Sequence, residues 1–345
     1  MPPIRNLAKQ LPRHSAGTRR ARPLLVVCSY VLPLRLSAPA DDEFIDYVKA
    51  LASHVEMIVV DGSEALVFAD HTRRLGDGLV HVAPDRDVRG YVNGKVAGVI
   101  TGIRRASHEH VVIADDDVRY DERALAAVVA ALNSADVVRP QNYFAPLPWH
   151  ACLDSARTLL NRISGGDWPG TLGVRRSRLV ATNGYDGNVM FENLELVRTV
   201  KAAGGVESVP LGLYVRRLPP TTEHFWSQRV RQAYDEFARP HRLAIWLGVL
   251  PSVAVAAFVG GWIAVGSMAA LTTVAAEAGR RRAGGRQVFP ARASLCAPLW
   301  VLERGVCAWL ALGAHLLLGG IPYRGRIVSR AATPMRQIEA RLSRV

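Results

Sequence analysis

The chain has 345 residues, of which 49% are hydrophobic and 21% charged, a composition that excludes an intrinsically disordered protein. The formal net charge of +13 comes from the two ends, residues 1–22 and 241–345, because residues 23–240 carry a net charge of −3. Basic residues beside long apolar runs disfavour nucleic acid as a partner and favour a membrane surface.

The first 22 residues carry six basic side chains and no acid, and we predict a flexible basic arm there. No apolar run follows these basic residues, so we expect no signal peptide and a cytoplasmic location for residues 1–240. The four cysteines lack the spacing of a metal site and are expected to be free thiols in a reducing compartment.

Short apolar runs alternate with helical patterns from residue 23 onward. We predict strands over 23–32, 55–63, 79–84 and 109–117, and helices over 41–54 and 90–107. This alternation indicates an α/β domain with a mainly parallel sheet, which we extend over residues 23–240. Ligands bind beyond the carboxyl ends of such strands. Asp61 and the run Asp115–Asp117 both follow strand ends, so we expect them at one edge of the sheet.

Three consecutive aspartates, Asp115, Asp116 and Asp117, directly follow the apolar run VVIA. Like charges at this spacing raise one another's pKa unless a cation lies among them. Oxygen ligands select Mg²⁺ or Mn²⁺, and Mg²⁺ usually takes one or two carboxylates together with substrate phosphates. We therefore predict a metal site at Asp115 and Asp117, and expect Asp116 to tolerate substitution best. The alternative for this pattern is a loop or a helix cap.

Residues 243–276 contain no charged side chain. A single helix of that length is about 50 Å long, against about 30 Å for the hydrocarbon core, so we prefer a hairpin of two helices that turns at Gly260–Gly261. A second apolar segment, from about 294 to 320, is predicted as a third crossing, a re-entrant segment or an interfacial helix. We thus predict membrane-associated helices over 241–322 and a basic tail over 323–345, with core helices of a soluble domain as the alternative.

Five segments, in order, resemble a large group of inverting nucleotide-sugar glycosyltransferases with the Rossmann-like GT-A fold, which includes cellulose synthases, ceramide glucosyltransferases and polyprenyl-phosphate sugar transferases. The segments are VEMIVVDGS, NGKVAGVITGIRRASHEHVVIADDD, GTLGVRRSRLVATNGYD, FENLEL and QRVRQAY. The resemblance covers about residues 23–240, and membrane segments after the catalytic domain also occur in that group. It implies a nucleoside diphosphate sugar as donor, UDP- or GDP-linked, and Mg²⁺ or Mn²⁺ as cofactor.

The resemblance also implies roles for single residues. Asp61 would contact the nucleotide, Lys95 would lie near it at a helix start, and Asp115 and Asp117 would form the Asp-x-Asp pair, with Asp117 on the metal. Without the resemblance, Asp61 is a turn residue and Lys95 a solvated helix residue.

The segment QRVRQ resembles a Gln-x-x-Arg-aromatic element whose residues hold the diphosphate or close over the site. It would supply Gln228 and Arg231, although Gln232 stands where the group has an aromatic residue. The alternative for Arg231 is a place at the membrane surface, where we also expect Arg229.

The segment FENLEL departs from the group, which usually has Glu-Asp there and uses the Asp as general base. The equivalent residue is Asn193, and an amide cannot accept a proton near neutral pH. Two interpretations remain open: Glu192 is the base, or the acceptor is already an anion such as a polyprenyl phosphate and needs no base.

We therefore predict an inverting hexosyltransferase of the inner membrane that transfers a sugar to a lipid or lipid-linked acceptor and so makes a glycolipid of the cell envelope. A processive polysaccharide synthase subunit is one alternative. A non-catalytic membrane scaffold is another, favoured by Asn193 and Gln232.

Overall fold

The computed structural model describes residues 27–343, so the predicted arm over 1–22 lies outside the described residues. The strands are β1 Ser29–Leu34, β2 Glu56–Asp61, β3 Val80–Val82, β4 His110–Ala114, β5 Val118–Arg119, β6 Val137–Val138, β7 Gln141–Phe144, β8 Thr171–Arg175, β9 Glu207–Ser208, β10 Tyr214–Arg217, β11 Ile321–Tyr323 and β12 Arg326–Val328. The helices are α1 Asp42–Ala52, α2 Ala65–Leu75, α3 Gly94–Arg105, α4 Glu122–Ala131, α5 Trp149–Asn161, α6 Arg176–Ala181, α7 Glu192–Ala202, α8 Thr222–Ser227, α9 Arg229–Tyr234, α10 Pro240–Arg281, α11 Ala291–Leu295, α12 Ala297–Leu318 and α13 Met335–Leu342.

The central sheet has seven strands in the order β3-β2-β1-β4-β8-β6-β9. Strands β1 to β4 run parallel, whereas β8 is antiparallel to both β4 and β6. Apolar core clusters cover both faces of this sheet, which is why its central strands are continuous apolar runs. The predicted α/β class with a mainly parallel sheet is confirmed.

A second, three-stranded sheet extends the edge where β4 ends. Its order is β5-β10-β7, and β10 pairs antiparallel with β5 so that Arg217 lies opposite Val118. The main-chain N–H of Leu218 also donates to the carbonyl of Asp117 at 2.7 Å. This pairing carries the end of β10 to the acidic run after β4.

Helix α10 reverses direction at Gly261, where the backbone φ is +59°. Near its start, Arg242 Nη2 donates to Asn161 Oδ1 at 3.2 Å, and near its end the carbonyl of Gly279 accepts from Arg162 Nε at 3.1 Å. A straight helix of 42 residues is about 60 Å long, so its two ends could not both contact the end of α5. Helix α10 is therefore a helical hairpin, and its turn lies at the predicted glycine pair.

Helix α12 lies along the body instead of projecting from it. Trp300, near its start, and Ala311, further along, belong to two different core clusters. The opposite face exposes large apolar side chains at helical spacing, Leu299, Leu302, Val306, Trp309, Leu310 and Leu317. Helix α12 is also long and apolar enough to cross a membrane, so its place as a crossing, re-entrant or interfacial segment stays a prediction.

The segment after residue 320, which the sequence marks only as a basic tail, returns to the sheet domain. The N–H of Phe191 donates to the carbonyl of Ala331 at 2.7 Å, and the N–H of Thr333 donates to Glu195 Oε2 at 2.6 Å. Helix α13 then packs on α7. The C-terminal segment therefore contributes to the wall near the start of α7.

We predict that Gly102→Val destabilises the protein. Gly102 of α3 packs on β1, and a Cβ there would overlap the methyl groups of buried Val31. Overpacking of this kind costs about 1–3 kcal/mol. We expect the thermal midpoint of the purified protein to fall by several degrees. Gly78→Val, at a site with open space around the added carbon, is the matched control, and an equal loss in both variants would contradict the packing argument.

Candidate functional site

A cavity of about 480 Å³ opens at the carboxyl edge of the sheet, where the sequence predicts the ligand site. Its inner side is formed by the run Asp115–Asp117, by Lys95 at the start of α3 and by Glu192 at the start of α7. Side chains of α5, α12 and the 3₁₀ turn Asp235–Ala238 form the opposite side. The volume is that of a small-molecule site.

Two basic side chains bind the predicted Asp-x-Asp pair. Lys95 Nζ lies 2.5 Å from Asp115 Oδ1. Arg217 Nε donates to both oxygens of Asp117 at 2.9 Å, and its Nη2 lies 3.4 Å from Asp115 Oδ2. A Cβ at Gly170 would lie 2.7 Å from Asp115 Oδ2, so only glycine leaves room for this arrangement. The predicted aspartates and Lys95 are therefore brought together.

Lys95 also holds Glu192. Its Nζ lies 2.9 Å from Glu192 Oε1, and Asn93 Nδ2 donates to Glu192 Oε2 at 3.4 Å. The neighbouring amide of Asn193 donates to the carbonyl of Pro169 at 3.0 Å. Glu192 and Asn193 thus line the cavity beside the aspartates, and Glu192 is an ion-paired carboxylate in this structure.

Burial and neighbouring charges shift the pKa values of Lys95 and of the aspartates. Burial alone would lower the pKa of Lys95, but Asp115 and Glu192 raise it well above its usual range, so the amine stays charged. Burial raises the pKa of Asp117 against the opposing effect of Arg217. Loss of solvation and the negative charges of Asp117 and Asp115 raise the pKa of Asp116. Arg217 and Lys95 therefore favour the ionised form of Asp117 against its burial.

Asp61 ends β2 at the same edge, but its carboxylate is turned away from the cavity. It is 1% exposed, lies 2.7 Å from His71 Nδ1 and 3.2 Å from His81 Nε2, and accepts from the N–H of Ser63 at 2.8 Å. Burial alone would raise the pKa of Asp61, yet the hydrogen bonds from His81, Ser63 and His71 hold it well below its usual range. Its role as a nucleotide contact stays a prediction, and its contacts here are structural.

Asp61, His71 and His81 also have the composition of a metal site, since one ligand atom of each lies within 4.8 Å of the others. His71 Nε2, however, accepts from the N–H of Ala40 at 3.1 Å, so its proton is on Nδ1 and points to Asp61. Both ring nitrogens of His71 are thus occupied, and hydrogen bonding accounts for the cluster without a metal.

Of the two residues predicted from the QRVRQ segment, only one lines the cavity. Gln228 lines the cavity and accepts from Gln232 Nε2 at 3.3 Å, whereas the guanidinium of Arg231 lies 5.0 Å above the Tyr323 ring and outside the lining. The expectation that Arg229 lies at a membrane surface is wrong. Arg229 is 2% exposed and binds both oxygens of Asp154 at 2.9 and 3.2 Å, because its pairing partner lies on α5.

Sequence reasoning missed several residues of the wall, notably Arg217, Asp235 and Arg304. Arg217 precedes a Leu-Pro-Pro stop, which marks a strand end at which a functional side chain could have been sought. Asp235 directly follows the QRVRQAY segment, and Arg304 is one of the two charges that interrupt the second apolar run. A charge inside an apolar run is a signal for a buried polar site.

The residues fit a divalent cation at one place in the cavity. Asp115 and Asp117 offer hard oxygen ligands on one side of an open space that could also hold a diphosphate. In this structure their charge is balanced by Lys95 and Arg217, so a cation there would compete with these side chains.

No family model matches the chain, and no curated protein matches it. Among solved structures, mannosyltransferase PcManGT from Pyrobaculum calidifontis, in complex with GDP-Man and Mn²⁺, is 16% identical with a TM-score of 0.47 over 84% of this chain and 90% of that chain. S. aureus TarS in complex with UDP-GlcNAc is 17% identical with a TM-score of 0.40, over 59% and 61%. Mannosyl-3-phosphoglycerate synthase from Rubrobacter xylanophilus is 15% identical with a TM-score of 0.39, over 60% and 71%. Matches at these values do not assign the chain to a family or an activity.

We predict that Asp61→Asn destabilises the fold, because it removes a charged partner from buried His71. The expected loss is about 2–3 kcal/mol near neutral pH. The pKa of Asp61 is lower in the folded chain than the unfolded value of about 3.9, so its stabilisation is complete above that pH and is lost as the pH falls further. The thermal midpoints of variant and wild type should therefore converge below about pH 4.

The exposed residue Asp77 provides the control for this test, as Asp77→Asn. If Asp61→Asn melts like the wild type at every pH but loses nucleotide affinity, the role implied by the resemblance is correct and the structural one is not.

Proposed function

We propose that the protein is a metal-dependent, inverting glycosyltransferase that uses a nucleoside diphosphate sugar. The observation that carries the proposal is the convergence of Asp115, Asp117, Lys95 and Arg217 at the carboxyl edge of the sheet, in a cavity large enough for such a donor. Asp115 and Asp117 would bind a metal ion, and Lys95 and Arg217 would contact phosphate oxygens. A diphosphate leaving group is stabilised by both kinds of positive charge.

Mg²⁺ or Mn²⁺ on Asp117, with Asp115 beside it, would neutralise charge on the diphosphate as it leaves. Arg217 contacts both aspartates in this structure, so a cation bound there would free its guanidinium for the phosphate oxygens. Lys95 lies between Asp115 and Glu192 and stays charged, which suits a contact with the same leaving group.

We further propose that the acceptor is a lipid or a lipid-linked molecule. The hairpin α10 and helix α12 are long and apolar enough to enter a membrane. Phe258 and Trp262, near the hairpin turn, are 92% and 87% exposed, and no described side chain covers them. Apolar surface of this extent calls for an apolar partner. Each arm of the hairpin is about 30 Å long, comparable to the hydrocarbon core.

The cavity lies close to these apolar helices, since Arg304 of α12 and Arg242 of α10 both line it. Anchoring through the hairpin, with α12 flat at the interface, would hold the cavity beside the lipid headgroups. Both ends of the hairpin meet the body, so the basic segments on its C-terminal side would share the cytoplasmic side with the catalytic domain.

We predict that Asp117→Asn lowers sugar transfer by about a thousandfold, because the amide cannot neutralise a cation's charge. The fold should persist, since Arg217 keeps Asp115 as a partner. Product formation in membranes and the thermal midpoint are the measurements, together with the binding of Mn²⁺ in the presence of nucleotide. Asp116→Asn is the matched control and should remain close to wild type; near-wild-type transfer by the Asp117 variant would exclude the metal assignment.

We predict that Val255→Lys combined with Leu271→Lys weakens membrane attachment, because a lysine at the centre of an apolar helix costs about 2.5–3.5 kcal/mol. Leu271 lies at the middle of the second arm of the hairpin and Val255 within the first, and both are exposed. The fraction of protein that stays in carbonate-washed membranes measures the effect. Leu66→Lys, at an exposed apolar side chain on α2, is the control. Retention equal to wild type in the double variant would show that the hairpin does not insert.

A further inference from the structure

Asp235 is a carboxylate of the cavity wall that the proposed transfer leaves unused. It begins the 3₁₀ turn that joins α9 to the hairpin α10. Within residues 27–343 its side chain forms no hydrogen bond and no ion pair. On the same side of the cavity the other acids are paired, Asp154 with Arg229, Asp167 with Arg157 and Glu236 with Arg242. An unpaired carboxylate among paired ones points to a partner that the protein itself does not supply.

Arg304 of α12 is a second, independent sign of such a partner. It lines the same cavity and is 2% exposed, yet its Nε and Nη1 atoms have no hydrogen-bond acceptor among the described residues. No ion pair joins Arg304 to Asp235 in this part of the chain. The wall therefore presents a free donor and a free acceptor. A hydroxyl group has the chemistry that complements both, because it can accept from a guanidinium and donate to a carboxylate.

The position of Asp235 is the one at which a lipid would enter. The preceding residue, Tyr234, places its hydroxyl 3.1 Å from His315 Nδ1 on α12. The following residue, Glu236, accepts from Arg242 Nε of α10 at 3.1 Å. Asp235 therefore lies at the junction of the sheet domain with both apolar helices.

We propose that Asp235 is the general base of the reaction and that the acceptor is a hydroxyl-bearing lipid, not a lipid phosphate. This rests on the proposed glycosyl transfer. The acceptor O–H bond breaks and its proton passes to the Asp235 carboxylate. The acceptor oxygen forms a bond to the anomeric carbon while the bond from that carbon to the diphosphate oxygen breaks. The electron pair of that bond leaves with the nucleoside diphosphate.

The surroundings of Asp235 suit this role. Burial and the negative charges of Glu192 and Glu236 raise the pKa of Asp235 to about 8. The positive charges of Arg239 and Arg304 oppose this rise. A base with a pKa near the working pH takes up a proton efficiently while still being partly ionised. Glu192 is less suited, because it is already ion-paired with Lys95.

The test uses the full-length protein in membranes, supplied with labelled UDP-glucose, UDP-N-acetylglucosamine and GDP-mannose. Lipids are extracted and exposed to mild acid, which cleaves glycosyl phosphates and leaves glycosidic bonds to alcohols intact. We expect an acid-stable labelled lipid from the wild type. Asp235→Asn should lower its rate of formation by about 10²–10⁴-fold, with nucleotide affinity unchanged and with partial rescue by Asp235→Glu.

The pH profile separates a base from a structural residue. Transfer by the wild type should rise with pH through about 8, because the carboxylate must be ionised, and Asp235→Asn should lose this rise. Glu192→Gln is the comparison: because Glu192 raises the pKa of Asp235, the rise should move to lower pH in this variant but persist. An acid-labile product, wild-type transfer by Asp235→Asn, or loss of the rise in Glu192→Gln would each overturn the inference alone. A wild type that glycosylates nothing from any donor would overturn the proposed function as well.

Discussion

The structure of the site depends on one constraint, the need of clustered carboxylates for cations inside a poorly solvated cavity. Asp115 and Asp117 are fixed by the end of β4 and cannot separate, so uncompensated charge there would cost several kcal/mol. Lys95 comes from the start of α3 and Arg217 from the end of β10, and both reach the pair only because the two sheets meet at this edge. The fold and the charge balance of the site therefore require each other.

The same constraint explains the opposite wall. Helix α5 pairs Asp154 with Arg229, and the turn after α9 pairs Glu236 with Arg242 of the hairpin. The first pair joins α5 to α9, where Arg229 also lies 3.9 Å from Glu303 of α12, and the second joins the turn to the hairpin. Breaking a buried pair leaves a buried charge, so these pairs specify one arrangement. An apolar hairpin could otherwise pack in many ways.

The sequence predicts what local patterns encode and misses what pairing across the chain decides. Continuous apolar runs predict β2 and β4, and the glycine pair predicts the turn at Gly261, because these features depend on neighbouring residues alone. Arg229 shows the limit: beside an apolar segment it reads as a membrane-surface residue, but its partner Asp154 lies 75 positions away. Arg217 is equally invisible, since its function depends on the register of β10 with β5.

Glu192 and Asp235 both line the cavity but differ in their partners, and this difference underlies the roles proposed for them. Asn193 occupies the position at which the resembled group has its base, and the neighbouring Glu192 is ion-paired with Lys95. Asp235 has no such partner and faces the side nearest the apolar helices. A carboxylate that no cation of the protein pairs with is the better candidate for accepting the acceptor's proton. Under the proposed mechanism, Asn193 can stand in place of the expected acid because Asp235 supplies the carboxylate from the neighbouring turn.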